Sequence, residues 1–94
     1  MIQSFATKDT QLVWERKFVR ALGPDVTRMA YRKLQALNAA DELSDLTAPP
    51  GNRLEPLRHD RLGQHSICIN DQFRICFTWT PAGPADVEIV DYHR

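Results

Sequence analysis

The 94-residue sequence lacks most of the features that mark specialised protein classes. It contains only four glycines and two cysteines, which excludes collagen-like repeats, low-complexity disorder and a disulfide-dense scaffold. No apolar run approaches the roughly 18–20 residues that span a membrane. The segment Met1–Phe5 lacks the basic and then apolar layout of a signal peptide, so we expect a cytoplasmic protein. The length predicts one small domain spanning residues 1–94.

Residues that typically bind metals or cofactors are also scarce. Cys68 and Cys76 have a spacing that fits no zinc site, and in the cytoplasm we expect both to be reduced thiols. The three histidines lack the spacing and the cysteine partners of metal sites. The chain also lacks a glycine-rich phosphate loop and a nucleophile-elbow serine. We therefore expect no metal and no cofactor.

The net charge is zero, because twelve Lys and Arg residues balance twelve Asp and Glu residues. This balance argues against a protein that binds nucleic acid through bulk charge. Residues 1–33 nevertheless hold seven basic and three acidic residues. The surplus forms either a local contact for nucleic acid or an ordinary solvated helix face. Its outward-facing members are predicted to be Arg16, Lys17, Arg20, Arg28, Arg32 and Lys33.

Hydrophobic periodicity predicts the order β-α-α-β-β-β, an α+β domain with two helices packed on a small, antiparallel-rich sheet. A first strand at Ile2–Phe5 is followed by two helices, which a short turn at Gly23 joins into a hairpin. Residues 41–46 are suited to one further helical turn. The predicted helices are Asp9–Leu22 and Pro24–Ala39, and the later strands are Gln64–Ile69, Phe73–Thr80 and Val87–Tyr92. Residues Arg53–Leu57 are predicted to form a short strand or edge that Pro56 interrupts.

The register of the middle hairpin follows from its apolar residues. A three-residue loop at Asn70–Gln72 pairs Ile69 with Phe73 and Ile67 with Ile75, which keeps the apolar set on one face. The opposite face then carries Ser66, Cys68, Arg74, Cys76 and Thr78. This hairpin therefore predicts a small polar surface that contains one arginine.

The candidate site is a polar cluster whose composition is suited to RNA cleavage. It comprises Arg58, His59, Arg61, Arg74 and the C-terminal residues Asp91, Tyr92, His93 and Arg94. RNA supplies its own nucleophile, the 2′-OH, so a protein needs a base, an arginine for the phosphate and a proton donor. His93 or Asp91 is a candidate base, and Tyr92 is suited to stacking on a nucleobase. Arg58 and Arg74 are candidates for the phosphate contact. From the pattern alone, the alternative for each of these residues is an ordinary surface or packing residue, and the pattern does not favour the functional interpretation.

Three spaced motifs together resemble one protein family. They are Gly51-Asn52-Arg53-Leu54-Glu55, Asn70-Asp71-Gln72 with Arg74, and Asp91-Tyr92-His93. They are similar to motifs of the HigB-like toxins, also called plasmid-maintenance killer proteins, in the RelE superfamily. The resemblance covers nearly the whole chain.

The resemblance implies a RelE-like toxin that enters the ribosomal A site and cleaves the mRNA there. It also implies a cognate helix-turn-helix antitoxin, similar to HigA, which neutralises the toxin and represses the operon. The toxin would then contact operator DNA only through the antitoxin.

Site residues follow from the same resemblance. Arg74 matches a phosphate-stabilising arginine, Arg58 stands where a basic residue is usual, and Asp91, Tyr92 and His93 match a C-terminal active-site run. Contacts with RNA or the ribosome are expected from Arg53, His59, Arg61, Arg16, Lys17, Arg20, Arg28 and Arg32.

The chain departs from the family pattern at several positions. Cys68 stands where relatives often have Arg, which removes a possible phosphate contact and predicts weaker activity. His59 stands where Gly is common, and Phe73 replaces a usual Trp. Some relatives carry His where this chain has Glu55, so the general base stays open. The alternative function is a weak or inactive toxin-fold protein that binds the antitoxin as a co-repressor. A stand-alone nucleic-acid-binding module is a further alternative, which the zero net charge weakens.

Overall fold

The computed structural model describes residues 1–92, in which two helices precede a four-stranded antiparallel sheet. The strands follow one another across the sheet in chain order. Short 3-10 helices lie at Leu43–Thr47, Pro50–Asn52 and His59–Arg61. The α+β class is thus confirmed. The main elements are α1 (Lys8–Trp14), α2 (Gly23–Ala39), β1 (Glu55–Pro56), β2 (His65–Cys68), β3 (Phe73–Thr80) and β4 (Gly83–Asp91). Within residues 1–92, no helix has the length and apolar character needed to cross a bilayer.

The core lies between one face of the sheet and α2. Ile67 pairs with Ile75, and the amide of Ile69 donates to the carbonyl of Phe73 at 2.9 Å, which confirms the predicted hairpin register. These strands present fully buried side chains to the buried stripe of α2, which comprises Ala30, Leu34 and Leu37. Each large aliphatic side chain buried in this way contributes about 1.5–3 kcal/mol to stability. The polar face of the hairpin is left facing away from the helices.

The predicted first strand is wrong as a strand, although its segment does lie along β4. Only Phe5 forms a bridge, a parallel one to Val87. Backbone hydrogen bonds join Gln3 to Pro84, and Ser4 and Ala6 to Val87. Asp86 has a φ of +51°, and this left-handed residue interrupts the extended backbone of β4 between those contacts. A regular ladder therefore does not form there.

Helix α1 ends at Trp14, eight residues before the predicted end at Leu22. The amide of Arg16 donates to the carbonyl of Val13, and the amide of Lys17 donates to that of Leu12. With Arg16 at a φ of +63°, this is the Schellman pattern that terminates helices. The predicted short helical hairpin is therefore wrong, because residues 15–22 form a longer, irregular connection between α1 and α2.

His59 is a further residue with a left-handed backbone. His59 has a φ of +57°, a conformation that glycine adopts without the steric cost of a Cβ atom. Its side chain is exposed. A glycine at this position would therefore suit the backbone.

We expect His59→Gly to raise the free energy of unfolding by about 0.5–1 kcal/mol. For a domain of this size, that gain raises the melting temperature by about 2–8 °C. Thermal unfolding followed by circular dichroism measures the change. His59→Ala is the control, since it removes the imidazole but keeps the Cβ atom and should give no gain. A melting temperature at or below that of the wild type would contradict the backbone explanation.

Candidate active site

The sheet face opposite the core carries a polar pocket of about 320 Å³. Strand pairing places Glu55 beside Ser66, Ser66 beside Cys76, and Cys76 beside Glu88, so this row crosses the whole sheet. Arg74 lies in the next row, between Cys68 and Val90. The pocket is lined by Arg53, Glu55, Cys68, Asn70, Asp71, Arg74 and Tyr92. It therefore combines two arginines and a tyrosine with carboxylates.

Arg74 is held rigidly within this pocket. Its Nε donates to Ser66 Oγ at 2.7 Å, and its Nη2 donates to the carbonyl of Arg53 at 2.7 Å. The Nη2 atom also lies 3.6 Å from Glu55 Oε1. The Arg74 side chain is only 12% exposed, so it is not an ordinary solvated strand residue. A planar guanidinium fixed in this way is suited to a directed contact with a phosphate.

The carbonyl that anchors Arg74 is positioned by a buried asparagine. Asn52 is fully buried, and its Nδ2 donates to the carbonyls of Leu46 at 3.2 Å and Ala48 at 3.1 Å. Its Oδ1 accepts a hydrogen bond from Lys33 Nζ. The next residue, Arg53, has a φ of +46°. This network fixes the loop that presents the Arg53 carbonyl to the pocket.

Tyr92 enters the pocket from the end of β4. Its amide donates to the carbonyl of Gln72 at 2.6 Å, and its side chain lines the pocket. Burial raises the pKa of the Tyr92 phenol, and the neighbouring Cys76 raises that pKa further. Burial likewise raises the pKa of the Cys76 thiol. Both groups therefore stay protonated at neutral pH, and Tyr92 remains a proton donor.

Glu55 lines the pocket, although the sequence analysis did not include it among the candidate site residues and named it only in connection with the open question of the general base. Its side chain is 53% exposed and lines the pocket, and its Oε1 atom lies 3.6 Å from Arg74 Nη2. The only indication in the sequence was the resemblance, because Glu55 stands where some members of the resembling family carry His. The strand that carries it is only two residues long, so periodicity gave no indication of the face that it occupies.

Other predicted site residues lie beside the pocket rather than in it. Arg61 Nη2 contacts Glu88 Oε1 at 3.1 Å, and its Nη1 donates to Gln64 Oε1. Asp91 is on the opposite strand face from Arg74, and its carboxylate accepts from Gln72 Nε2 at 3.1 Å. The structure thus does not bring Asp91 into the pocket lining. Arg58 and His59 are exposed and likewise do not line the pocket, and the prediction for His93 lies outside the described residues.

The predicted ribosome-binding residues of the first half of the chain lie in the helix layer, away from the pocket. Arg16 stacks over the Tyr31 ring, with its Cζ atom 5.1 Å from the ring centroid. Lys17 contacts Glu15 at 3.4 Å, and Arg28 contacts Asp25 at 3.3 Å. Arg20 and Arg32 are exposed. These residues and the pocket therefore belong to two separate surfaces.

Comparison with known protein families identifies the family of this chain. Residues 3–93 match the family described as RelE-like toxins of the type II toxin-antitoxin system HigB. The chain belongs to the HigB-like toxin family. The resemblance seen in the sequence is thereby confirmed, and the protein is a toxin of the type II toxin-antitoxin class.

Curated relatives of this HigB-like toxin agree with the assignment. The chain is 42% identical over 75 residues to Toxin HigB-1 of Vibrio cholerae, covering 80% of this chain and 78% of the relative. It is 33% identical over 94 residues to Endoribonuclease HigB of Proteus vulgaris, covering 99% and 100% of the two chains.

A solved structure shares the fold of this HigB-like toxin. A chain of the YoeB-YefM complex from Staphylococcus aureus superimposes with a TM-score of 0.63, covering 100% of this chain and 99% of the other. The two sequences are only 12% identical, so the likeness establishes the fold alone.

Proposed function

We propose that this HigB-like toxin is a ribosome-dependent endoribonuclease that cleaves translated mRNA in the ribosomal A site, which inhibits translation and growth. The observation that carries the proposal is the fixed guanidinium of Arg74 in a polar pocket that also contains Glu55 and Tyr92. The name of the Proteus vulgaris relative, Endoribonuclease HigB, supports the reaction type.

The proposed reaction is an attack by the 2′-oxygen of the RNA on the adjacent phosphorus. The P–O5′ bond breaks, which yields a 2′,3′-cyclic phosphate and a free 5′-OH. Arg74 stabilises the charge that develops on the phosphorane oxygens. We propose that Glu55 accepts the 2′-OH proton and that the protonated Tyr92 supplies a proton to the 5′-oxygen, since both side chains line the pocket with Arg74. His93 remains a predicted alternative base.

The small volume of the pocket supports dependence on the ribosome. A pocket of about 320 Å³ is near the lower end of ligand-site volumes, so it is suited to one nucleotide rather than to a long RNA segment. We propose that the ribosome aligns the mRNA, which removes much of the entropic cost of placing the 2′-oxygen in line with the leaving group. The protein would accordingly act in the cytoplasm.

The proposed partner is a cognate helix-turn-helix antitoxin of the HigA type. Membership of a type II toxin-antitoxin family supports such a partner. The antitoxin would neutralise the toxin and carry it to operator DNA, so the toxin itself would not contact DNA.

Induced expression in a bacterial host tests the proposed function. Growth arrest accompanied by new 5′ ends in translated mRNA is the expected result. Purified toxin should cleave mRNA on programmed ribosomes and leave the same free mRNA intact. Equal cleavage of free mRNA would contradict the dependence on the ribosome, and normal growth with soluble, folded protein would favour the co-repressor function.

Cys68 favours the second candidate function, a catalytically weak co-repressor, because a half-buried thiol lies in the pocket beside Arg74. We expect Cys68→Arg to cleave at least as fast as the wild type, because it adds a cation next to the phosphate. Rates of cleavage on programmed ribosomes measure the effect, and Cys68→Ser is the control that adds no charge. A wild type that is clearly faster than Cys68→Arg would show that the thiol does not limit activity.

A further inference from the structure

An apolar groove of about 310 Å³ lies in the helix layer, between the α1–α2 connection and the first turns of α2. We call it the α1–α2 groove. Its apolar lining comes from Val13, Phe18, Pro24 and Tyr31. Because the helices cover the core face of the sheet, this groove lies on a different surface from the candidate active site.

Phe18 makes this groove unusual, because its side chain is 67% exposed. In the helix predicted over Asp9–Leu22, Phe18 and Val19 would both belong to the apolar stripe. The early end of α1 changes this, since the irregular connection buries Val19 and leaves Phe18 at the surface. A single exposed apolar residue is common, but here an exposed phenyl ring borders a concave apolar surface, as docking sites do.

Charge around the α1–α2 groove has one predominant sign. Residues 14–32 contain five basic and two acidic side chains. Arg16, Lys17 and Arg28 line the groove itself. The ionic contacts of Lys17 with Glu15 and of Arg28 with Asp25 are exposed, so they are weak and readily exchanged for a partner's carboxylates.

We propose that the α1–α2 groove binds an acidic amphipathic segment of the antitoxin. One apolar side chain of that segment packs between Phe18 and Tyr31, and flanking carboxylates contact Arg16, Lys17 and Arg28. The charge complementarity selects an anionic partner, and the apolar lining selects a polypeptide over ribosomal RNA. This inference rests on the antitoxin partner of the proposed function.

Binding of the purified cognate antitoxin to toxin variants tests the inference. Calorimetry should show that Phe18→Ser weakens the affinity about 30-fold or more, as expected for a central aromatic anchor. The double variant Lys17→Glu with Arg28→Glu should weaken it at least 10-fold, and added salt should reduce this difference. Leu62→Ser is the matched control, because Leu62 is an 80% exposed apolar residue outside the groove.

A second readout separates this inference from the proposed function. Phe18→Ser should still arrest growth and cleave mRNA at the wild-type rate, while co-expressed antitoxin no longer relieves the arrest. Unchanged antitoxin affinity in Phe18→Ser would overturn the inference. Reduced ribosome binding with unchanged antitoxin binding would assign the groove to RNA and overturn it too. Failure of the wild type to cleave mRNA would contradict only the proposed activity, since binding is measured independently.

Discussion

Replacing Arg74 by alanine is expected to lower mRNA cleavage on programmed ribosomes by about 10²–10³-fold and to abolish growth arrest. The guanidinium is the most rigidly held cation of the pocket, with hydrogen bonds to the side chain of Ser66 and to the backbone of Arg53. Its charge is therefore directed at one position before RNA arrives, and water cannot take over that role in the variant. Single-turnover cleavage rates measure the loss.

Arg74→Lys distinguishes charge from geometry. Lysine keeps the positive charge but lacks the planar, forked guanidinium group. It therefore cannot donate hydrogen bonds to Ser66 and to the Arg53 carbonyl while also contacting a phosphate. We expect it to restore only a small part of the rate. Because Arg74→Ala also removes the hydrogen-bond partner of the buried Ser66 hydroxyl, thermal unfolding must show that the variant is folded. A folded Arg74→Ala that cleaves at the wild-type rate would contradict the assignment of the pocket as the active site.

The position of Arg74 could be predicted because period-two alternation is a strong constraint. Once Ile67 and Ile75 share the core face, Arg74 must face the other way, beside Cys68. The pairings of Arg61 and Asp91 could not be predicted in this way. They depend on which neighbouring strand and loop side chains approach them, and sequence spacing carries no information about such tertiary contacts.

The end of α1 illustrates a different limit. Apolar residues continue at helical spacing through Phe18 to Leu22, so periodicity favours a longer helix. The helix nevertheless ends in a Schellman pattern whose left-handed residue is Arg16 rather than the usual glycine. Stacking of Arg16 on Tyr31 offsets part of the cost of that conformation. Such a partner lies in another helix and leaves no local signal.

Asn52 also illustrates how a motif is explained only by the fold. The residue lies in a family-like motif, yet its side chain does not reach the pocket lining. Instead it is fully buried and holds the Leu46 and Ala48 carbonyls together with Lys33 Nζ. Its place in the motif therefore reflects the loop that supports Arg53, and through it Arg74.

We expect Asn52→Ala to lower the free energy of unfolding by about 2–3 kcal/mol, because it leaves buried carbonyl groups without donors. For a domain of this size, that loss lowers the melting temperature by roughly 10–20 °C. Cleavage should fall as well, since the Arg53 carbonyl that anchors Arg74 loses its support. Thermal unfolding and single-turnover cleavage, both measured below the melting transition, provide the two readouts.

Two variants test whether donation by the Asn52 amide is responsible. Asn52→Asp keeps the shape and the contact with Lys33, but its carboxylate cannot donate to the Leu46 and Ala48 carbonyls, so we expect a comparable loss of stability. Asn38→Ala removes one part-buried bond, which Asn38 Oδ1 accepts from the amide of Ile2, and should cost less than about 1 kcal/mol. If Asn52→Asp had the same melting temperature as the wild type, the two hydrogen bonds donated by the Asn52 amide would not be what holds the loop. If Asn52→Ala lost stability but cleaved at the full rate below its transition, the loop would stabilise the fold without positioning Arg74.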